Sequence, residues 1–278
     1  MDMKALFLIL MFILGACFGS FLCCQARRME YKEAKKGKKK KAPKLNKRSV
    51  CLKCGYKLKW YDNIPIISWL LLKGKCRKCK EKIGIAEILA EVLTGLAFLM
   101  LGTTLDMDWM SARGTADFIL TFVFLISVVF LAIYDGISGK LPLVWLIVAI
   151  VIGAIKVITT NIIVAMMDGF DPSLIYMPIA AVAILGGVYL ILYIVSKGRW
   201  VGDGDWLLGT AIGLALMEPW LALITLFIAN VLACAVMAPV VKKTKNAKIY
   251  FGPFMVIGFV IAYTFSEFFF YALSGFYM

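Results

Sequence analysis

Apolar residues in this chain run in blocks. Stretches near twenty residues long fall at 4–24, 84–104, 116–134, 141–160, 174–196, 219–240 and 252–273, with a shorter one at 205–217. A block of about twenty apolar residues is the length of a helix that crosses hydrocarbon. The pattern therefore predicts an all-α, polytopic integral membrane protein with about eight transmembrane helices. The sixth block opens at Asp205, is short and runs into Glu218-Pro219, so it is expected either to form a tight hairpin with the seventh or to sit tilted.

Composition agrees, with 62% hydrophobic residues and a mean hydropathy of +0.87. Histidine is absent, which excludes Ser-His-Asp and Cys-His catalysis and every His-ligated metal. Acid–base chemistry falls to Asp, Glu, Lys, Tyr or Cys. Charge orients the helices: residues 25–82 hold 21 Lys/Arg against 4 Asp/Glu, in a chain whose net charge is +14. The positive-inside rule makes that loop cytoplasmic and puts the N-terminus outside. Alternation from there places Asp106, Asp108, Asp168, Asp171 and Glu218 outside, and Lys140, Lys197, Arg199 and Lys242 to Lys245 inside. Trp145, Trp200 and Trp206 then mark the inner interface, Trp109 and Trp220 the outer one. Leu14-Gly15-Ala16-Cys17 has the form of a lipoprotein cleavage box, but the apolar run continues to Leu22 and the following basic block opposes export. An uncleaved first helix is the reading retained.

The cytoplasmic loop changes character twice. Glu30 through Arg48 is dominated by lysine and lacks the apolar content to form a core, so it is expected to be a disordered, solvated tether attracted to anionic lipid. Charge alone would also suit nucleic acid, yet no DNA-reading or aromatic-interleaved pattern accompanies it. Next comes Cys51-x-x-Cys54 and, 21 residues on, Cys76-x-x-Cys79. Two such pairs can wrap one tetrahedral ion, because each short spacer turns both sulfurs toward one centre. Paired disulfides are the rival, disfavoured in a reducing compartment. A structural zinc is expected, with Lys53, Lys75 and Lys78 offsetting thiolate charge. Cys17, Cys23, Cys24 and Cys234 show no paired spacing; packing is their default, with acylation of Cys23 or Cys24 as the alternative.

Two carboxylates stand out. Asp135 ends the third block, and Asp205 closes the turn Gly202-Asp203-Gly204-Asp205 at the start of the sixth. Alternation of the spans puts both on the cytoplasmic side. Ionisable groups beside hydrocarbon are functional suspects, because they are costly unless paired or used. Two aspartates sharing one proton can hydrolyse a peptide bond without histidine, metal or covalent nucleophile. The plainer readings are a helix-capping turn at Asp205 and, at Asp135 with Gly136, Ser138, Gly139 and Pro142, a polar turn between spans.

Taken together, these residues resemble the bacterial type IV prepilin peptidases, GxGD-type intramembrane aspartic proteases that also act as N-methyltransferases. Gly19-Ser20-Phe21-Leu22 is similar to that family's N-terminal motif. Arg48 through Cys79, with Trp60-Tyr61-Asp62-Asn63-Ile64-Pro65-Ile66-Ile67-Ser68-Trp69, resembles its zinc-bearing segment. Asp135 with Pro142, Gly202-x-Gly204-Asp205 and Gly252-Pro253-Phe254 resemble its remaining motifs. Cys23, Leu143, Leu207 and the pair Glu87-Ile88 depart from it.

The resemblance implies three segments: a first transmembrane helix (1–24), a basic cytoplasmic loop with the cysteine module (25–83), and a transmembrane aspartic protease domain (84–278). It implies a multi-pass protein of the bacterial cytoplasmic membrane that removes basic leaders from prepilins and pseudopilins at the inner face. Asp135 and Asp205 would form the dyad, Cys51, Cys54, Cys76 and Cys79 would hold zinc, and Gly202, Gly204 and Pro142 would support the motifs. Methylation from S-adenosylmethionine would follow cleavage, although no Rossmann-type glycine fingerprint is present. The competing class is an ion-coupled transporter with a zinc-stapled cytoplasmic domain.

Overall fold

The computed structural model describes residues 3–36, 50–51, 53–104, 112–199, 201–243 and 250–274. Asp106, Asp108, Trp109, Trp200 and Lys245, used above to orient the chain, lie outside them, as does 37–49. Among the described residues the chain is helical, with isolated β-bridges and no strand. All eight apolar blocks are helical. Six are long and apolar enough to cross a membrane, and Gly252–Thr264 with Ser266–Ala272, bent by 70°, adds a seventh if read as one span. The remaining block forms a helix at Asp205–Leu216. At 12 residues it is about 18 Å long, well short of a 30 Å hydrocarbon core.

One expectation is corrected. The first helix, α1 (Met3–Lys36), continues into the lysine tract that was expected to be disordered. The apolar span supplies the helical nucleus, so each further turn costs little. Glu, Lys, Arg and Ala extend it readily, and Arg27 lies 3.9 Å from Glu30 one turn on.

The chain divides into two compact units. The first is Met1–Gly102 with Gly136–Ser138. In it α1 packs on α3 (Ile85–Thr103) through small residues. A Cβ on Gly15 would stand 2.6 Å from the Thr94 carbonyl oxygen, and one on Gly19 2.6 Å from that of Ala90. Glycine thus sets the approach of two backbones in a medium where packing drives helix association. The cysteine segment lies between these helices in sequence and carries α2 (Ile67–Leu71).

The second unit is Thr103–Asp135 with Gly139–Met278. It holds α4 (Ala112–Ser138) as far as Asp135, α5 (Leu143–Met167), α6 (Ser173–Val182), a π-turn (Ala183–Gly187), α7 (Val188–Ser196), α8 (Asp205–Leu216), α9 (Pro219–Lys243), α10 (Gly252–Thr264) and α11 (Ser266–Ser274). The short α8 sits at its centre, packed on α5, α6, the π-turn, α7, α9 and α10. Leu208, Ala211, Ile212 and Ala215 are all fully buried. A glycine stripe allows this: Cβ atoms on Gly209 and Gly213 would each lie 2.9 Å from a backbone oxygen, of Leu185 and Ala181. Met217, at φ 62°, turns the chain directly into α9, the hairpin alternative of the two expected at Glu218-Pro219.

Candidate active site and metal centre

In the first unit the two CxxC turns fold alike. Cys51 N–H donates to Tyr56 O at 2.9 Å and Gly55 N–H to Cys51 O at 2.9 Å. In the second turn Cys76 N–H donates to Glu81 O at 2.7 Å and Lys80 N–H to Cys76 O at 3.0 Å. Each turn is flanked by one antiparallel bridge, Val50 with Lys57 and Lys75 with Lys82. The left-handed position falls on Gly55 in one and Lys80 in the other. A Lys53–Glu81 ion pair ties the two turns together.

The four Sγ atoms lie within 4.8 Å of one another, and Cys51 Sγ is 3.9 Å from Cys79 Sγ. Tetrahedral Zn–S bonds of about 2.3 Å place sulfurs roughly 3.8 Å apart, whereas a disulfide requires about 2.05 Å. The cluster can hold a metal ion such as zinc. Backbone N–H groups of Cys79 and Lys78 bring the Cys76 thiol down to about 7. Cys79, despite the Glu81 N–H that favours its thiolate, is driven up to about 11 by burial and the neighbouring sulfurs. Four thiolates cannot ionise together this closely without a cation between them.

Beside the turns lies a polar staple. Arg77 Nε donates to Asp62 Oδ1 at 2.8 Å, while Lys59 N–H and the Tyr56 hydroxyl donate to Oδ2 at 3.1 and 3.3 Å. Burial opposes ionisation of Asp62, yet these donors, led by Arg77, hold its carboxyl below the ordinary range. Ile66, a β-branched residue at φ 62°, is kept in that strained turn by its N–H bond to Glu91 Oε2 at 2.6 Å. A cavity of about 680 Å³ opens nearby, lined among others by Arg27, Asp62, Trp69, Glu87 and Glu91. Arg27 Nη2 donates to Glu87 Oε1 at 2.8 Å, and Glu87 Oε2 is buried with no hydrogen-bond partner among the described residues.

In the second unit Asp135 is buried near the end of α4, where the helix closes through a Gly139 N–H bond to the Asp135 carbonyl at 2.7 Å. The Gly252 N–H, at the start of α10, donates to Asp135 Oδ2 at 3.0 Å. A Cβ on Gly252 would stand 2.9 Å from that oxygen. Asp205, also buried, opens α8 and accepts the Gly202 N–H on Oδ2 at 2.8 Å. A Cβ on Gly204 would lie 2.6 Å from Leu141 Cβ. Gly204 thus lets the GxGD turn rest on the Leu141-Pro142 loop that follows α4, and Pro142 then starts α5. That contact holds the turn bearing Asp205 against the loop that follows Asp135. The second oxygen of each carboxylate takes no hydrogen bond from a described residue.

Sequence reasoning missed the walls of this site. Tyr189, buried on α7, accepts a bond from Asn230 Nδ2 at 3.1 Å and packs 5.2 Å from Phe251. It lies within electrostatic range of Asp205. Its place inside an apolar block made it look like packing. The reading also passed over Lys156, a cation in the middle of a membrane span, where charge alone should have drawn notice.

Residues 13–105 match the family model described as Bacterial Peptidase A24 N-terminal domain. A prepilin leader peptidase/N-methyltransferase of Neisseria gonorrhoeae is 33% identical over 225 residues, covering 78% of this chain and 70% of that protein. This chain belongs to that family. A relative of the same name from Myxococcus xanthus is 40% identical over 93 residues, 34% of this chain and 25% of that protein. The type 4 prepilin-like proteins leader peptide-processing enzyme of Escherichia coli is 51% identical over 53 residues, 19% of this chain and 20% of that protein. No solved structure matches. The alignment with the Neisseria relative extends well beyond the cysteine segment, so membership does not rest on that module alone. The chain is a multi-pass membrane protein of a peptidase family, which leaves the ion-coupled transporter reading without support.

Proposed function

We propose that this protein is a membrane endopeptidase that removes the basic leader from type IV prepilins and pseudopilins, with Asp135 and Asp205 as its catalytic pair. The single observation that carries the reading is that two buried carboxylates, 70 positions apart, lie in one helical unit where the Gly204 turn before Asp205 packs on the loop after Asp135, in a chain of the prepilin peptidase family. Each is pinned on one oxygen by a glycine N–H, leaving the other for chemistry. One proton shared between the pair makes one carboxyl an acid and the other a base. The ionised partner takes a proton from water, whose oxygen attacks the scissile carbonyl carbon. The protonated partner gives its proton to the carbonyl oxygen. As the tetrahedral adduct collapses and the C–N bond breaks, the departing amine takes up the proton that came from water and one hydroxyl of the adduct returns its proton to the other carboxylate, restoring the pair. Asp203, beside Asp205, is assigned the solvated turn rather than the reaction.

Charge and alternation of the spans put the cysteine module and both carboxylates at the cytoplasmic face of the bacterial inner membrane, with the N-terminus outside. A prepilin-type substrate presents a basic leader followed by an apolar helix, so its scissile bond would lie at that interface. The basic loop offers such a leader no attraction, and recognition falls to the apolar helix within lipid. Zinc held by Cys51, Cys54, Cys76 and Cys79 would fold the module and take no part in hydrolysis.

N-methyltransferase is the second activity in the relatives' names, and we assign it to the new N-terminus. The cavity of about 680 Å³ is of small-molecule size. Its lining mixes five Lys and Arg with four Asp and Glu, and within it the buried Glu87 Oε2, which has no partner among the described residues, is where the positive end of a donor such as S-adenosylmethionine would be held. The donor would supply an electrophilic methyl group, and a carboxylate of the cavity would take the amine's proton.

Mass spectrometry of a co-expressed prepilin tests both activities. The expected product starts directly after the leader's terminal glycine and carries an added methyl. Unprocessed prepilin with Asp135→Asn and with Asp205→Asn is the expected control. Normal processing by either variant would end the dyad reading.

A further inference from the structure

Lys156 sits midway along α5 and is 2% exposed. Its ammonium group reaches three other helices. It lies 3.2 Å from Asp117 Oδ1 on α4, donates to the Ala215 carbonyl on α8 at 2.9 Å, and stands 4.8 Å from the centroid of the Tyr263 ring on α10. Tyr263 donates its hydroxyl to Asp117 Oδ2 at 2.6 Å. That hydroxyl has one proton, so the Thr121 hydroxyl 3.2 Å away donates to it rather than accepting. The cluster is therefore satisfied on every side.

These three helices are the ones that build the dyad. Asp135 comes from α4, Asp205 from α8, and α10 supplies the Gly252 N–H that holds Asp135. On all three, the residue at the lysine lies at the opposite end from the residue at the dyad. Separations of 18, 10 and 11 positions amount to roughly 27, 15 and 16 Å of helix. Ala215 is also among the last four carbonyls of α8, which have no intrahelical partner. The lysine both satisfies that carbonyl and places a cation at the negative end of the helix dipole.

We propose that Lys156 is a positioning residue for the Asp135–Asp205 pair, a single cation that locks the far ends of the three helices bearing the site. The proposal rests on the dyad reading above. A buried charge in hydrocarbon is costly and persists where it is paired or used. Packing would hold four helices together without it. What the lysine adds is direction: a carbonyl, a carboxylate oxygen and a ring face fix the axial position of α8 against α4 and α10. A shift of about 1 Å at a reacting centre lowers rates about a hundredfold.

The test separates positioning from folding. Asp117→Asn alone strands a buried cation and should destabilise the protein. Lys156→Met combined with Asp117→Asn removes both charges, and replacing a buried pair by neutral groups is often harmless to stability. Steady-state cleavage of a purified prepilin in proteoliposomes is measured with each variant, together with thermal unfolding in detergent. The double variant is expected to unfold near the wild-type temperature and to keep KM within about twofold, with kcat lowered about ten- to hundredfold. Wild-type kcat in the double variant, a change in KM alone, or loss of the folded state in both variants would overturn the proposal. Asp205→Asn is run beside them. If it still cleaves, the dyad reading falls and takes this one with it; if it is dead while the double variant is fully active, only the lysine's role is lost.

Discussion

The metal centre and the carboxylate site reach order by opposite routes. The cysteine module takes its four sulfurs from a stretch of 29 residues, in two turns with the same backbone bonds, and a cation can close it. The carboxylate site takes Asp135, Asp205 and the Gly252 N–H from positions up to 117 residues apart, and helix packing alone assembles it. The first is local chemistry that gathers a fold around itself. The second is a fold that gathers chemistry, and its tolerances are set by glycines that admit backbone where a Cβ would collide.

The largest effect is expected at the carboxylates. Asp135→Asn and Asp205→Asn should each lower prepilin cleavage about a thousandfold or more, within the range that general acid–base groups contribute, and leave bound zinc unchanged. Cleavage assays paired with metal analysis check this; an equal loss of zinc would mean that the two sites are not independent.

Gly252→Ala comes next. Its new Cβ, 2.9 Å from Asp135 Oδ2, must displace that carboxylate. A fall of about tenfold or more in kcat is expected, again at full metal content, and wild-type kcat would show that the contact is slack.

Cys51→Ser with Cys76→Ser attacks the other region. Zinc should fall from about one ion per chain to none, and the segment 50–83 should become open to protease while α4–α10 stay protected. Unchanged metal content would remove the four-thiolate site.

The smallest effect concerns Asp62. Its folded-state pKa lies below the ordinary value of about 3.9, so its contribution to stability is fully present above that value and is lost as pH falls through the folded pKa. Acid unfolding of the module, followed by Trp60 and Trp69 fluorescence, should therefore begin below about pH 4. Asp62→Asn should flatten that dependence. A variant with an unaltered acid limb would mean that other groups set it.

Legibility followed the same division. The paired CxxC spacing was readable because both members of each pair lie within one turn, and the structure brings all four sulfurs together as that spacing implies. The helical blocks were readable because hydrocarbon demands length and apolarity of each segment by itself. The reading erred at Glu30–Lys36, where composition suggested disorder but an adjoining span had already met the cost of nucleation. It overlooked Tyr189 and Lys156, whose partners lie on other helices and leave no mark at fixed spacing.

Segment by segment, then, the chain alone determined solvent, element type and the metal-ligand set, because each depends on residues close in sequence. Tertiary packing alone decided that a twelve-residue helix lies at the centre of its unit, that the GxGD turn rests on the loop after Asp135, and that one buried lysine meets three helices. Those outcomes turn on which backbones approach within a few ångströms, and a one-dimensional pattern of apolar residues is the same for many such approaches.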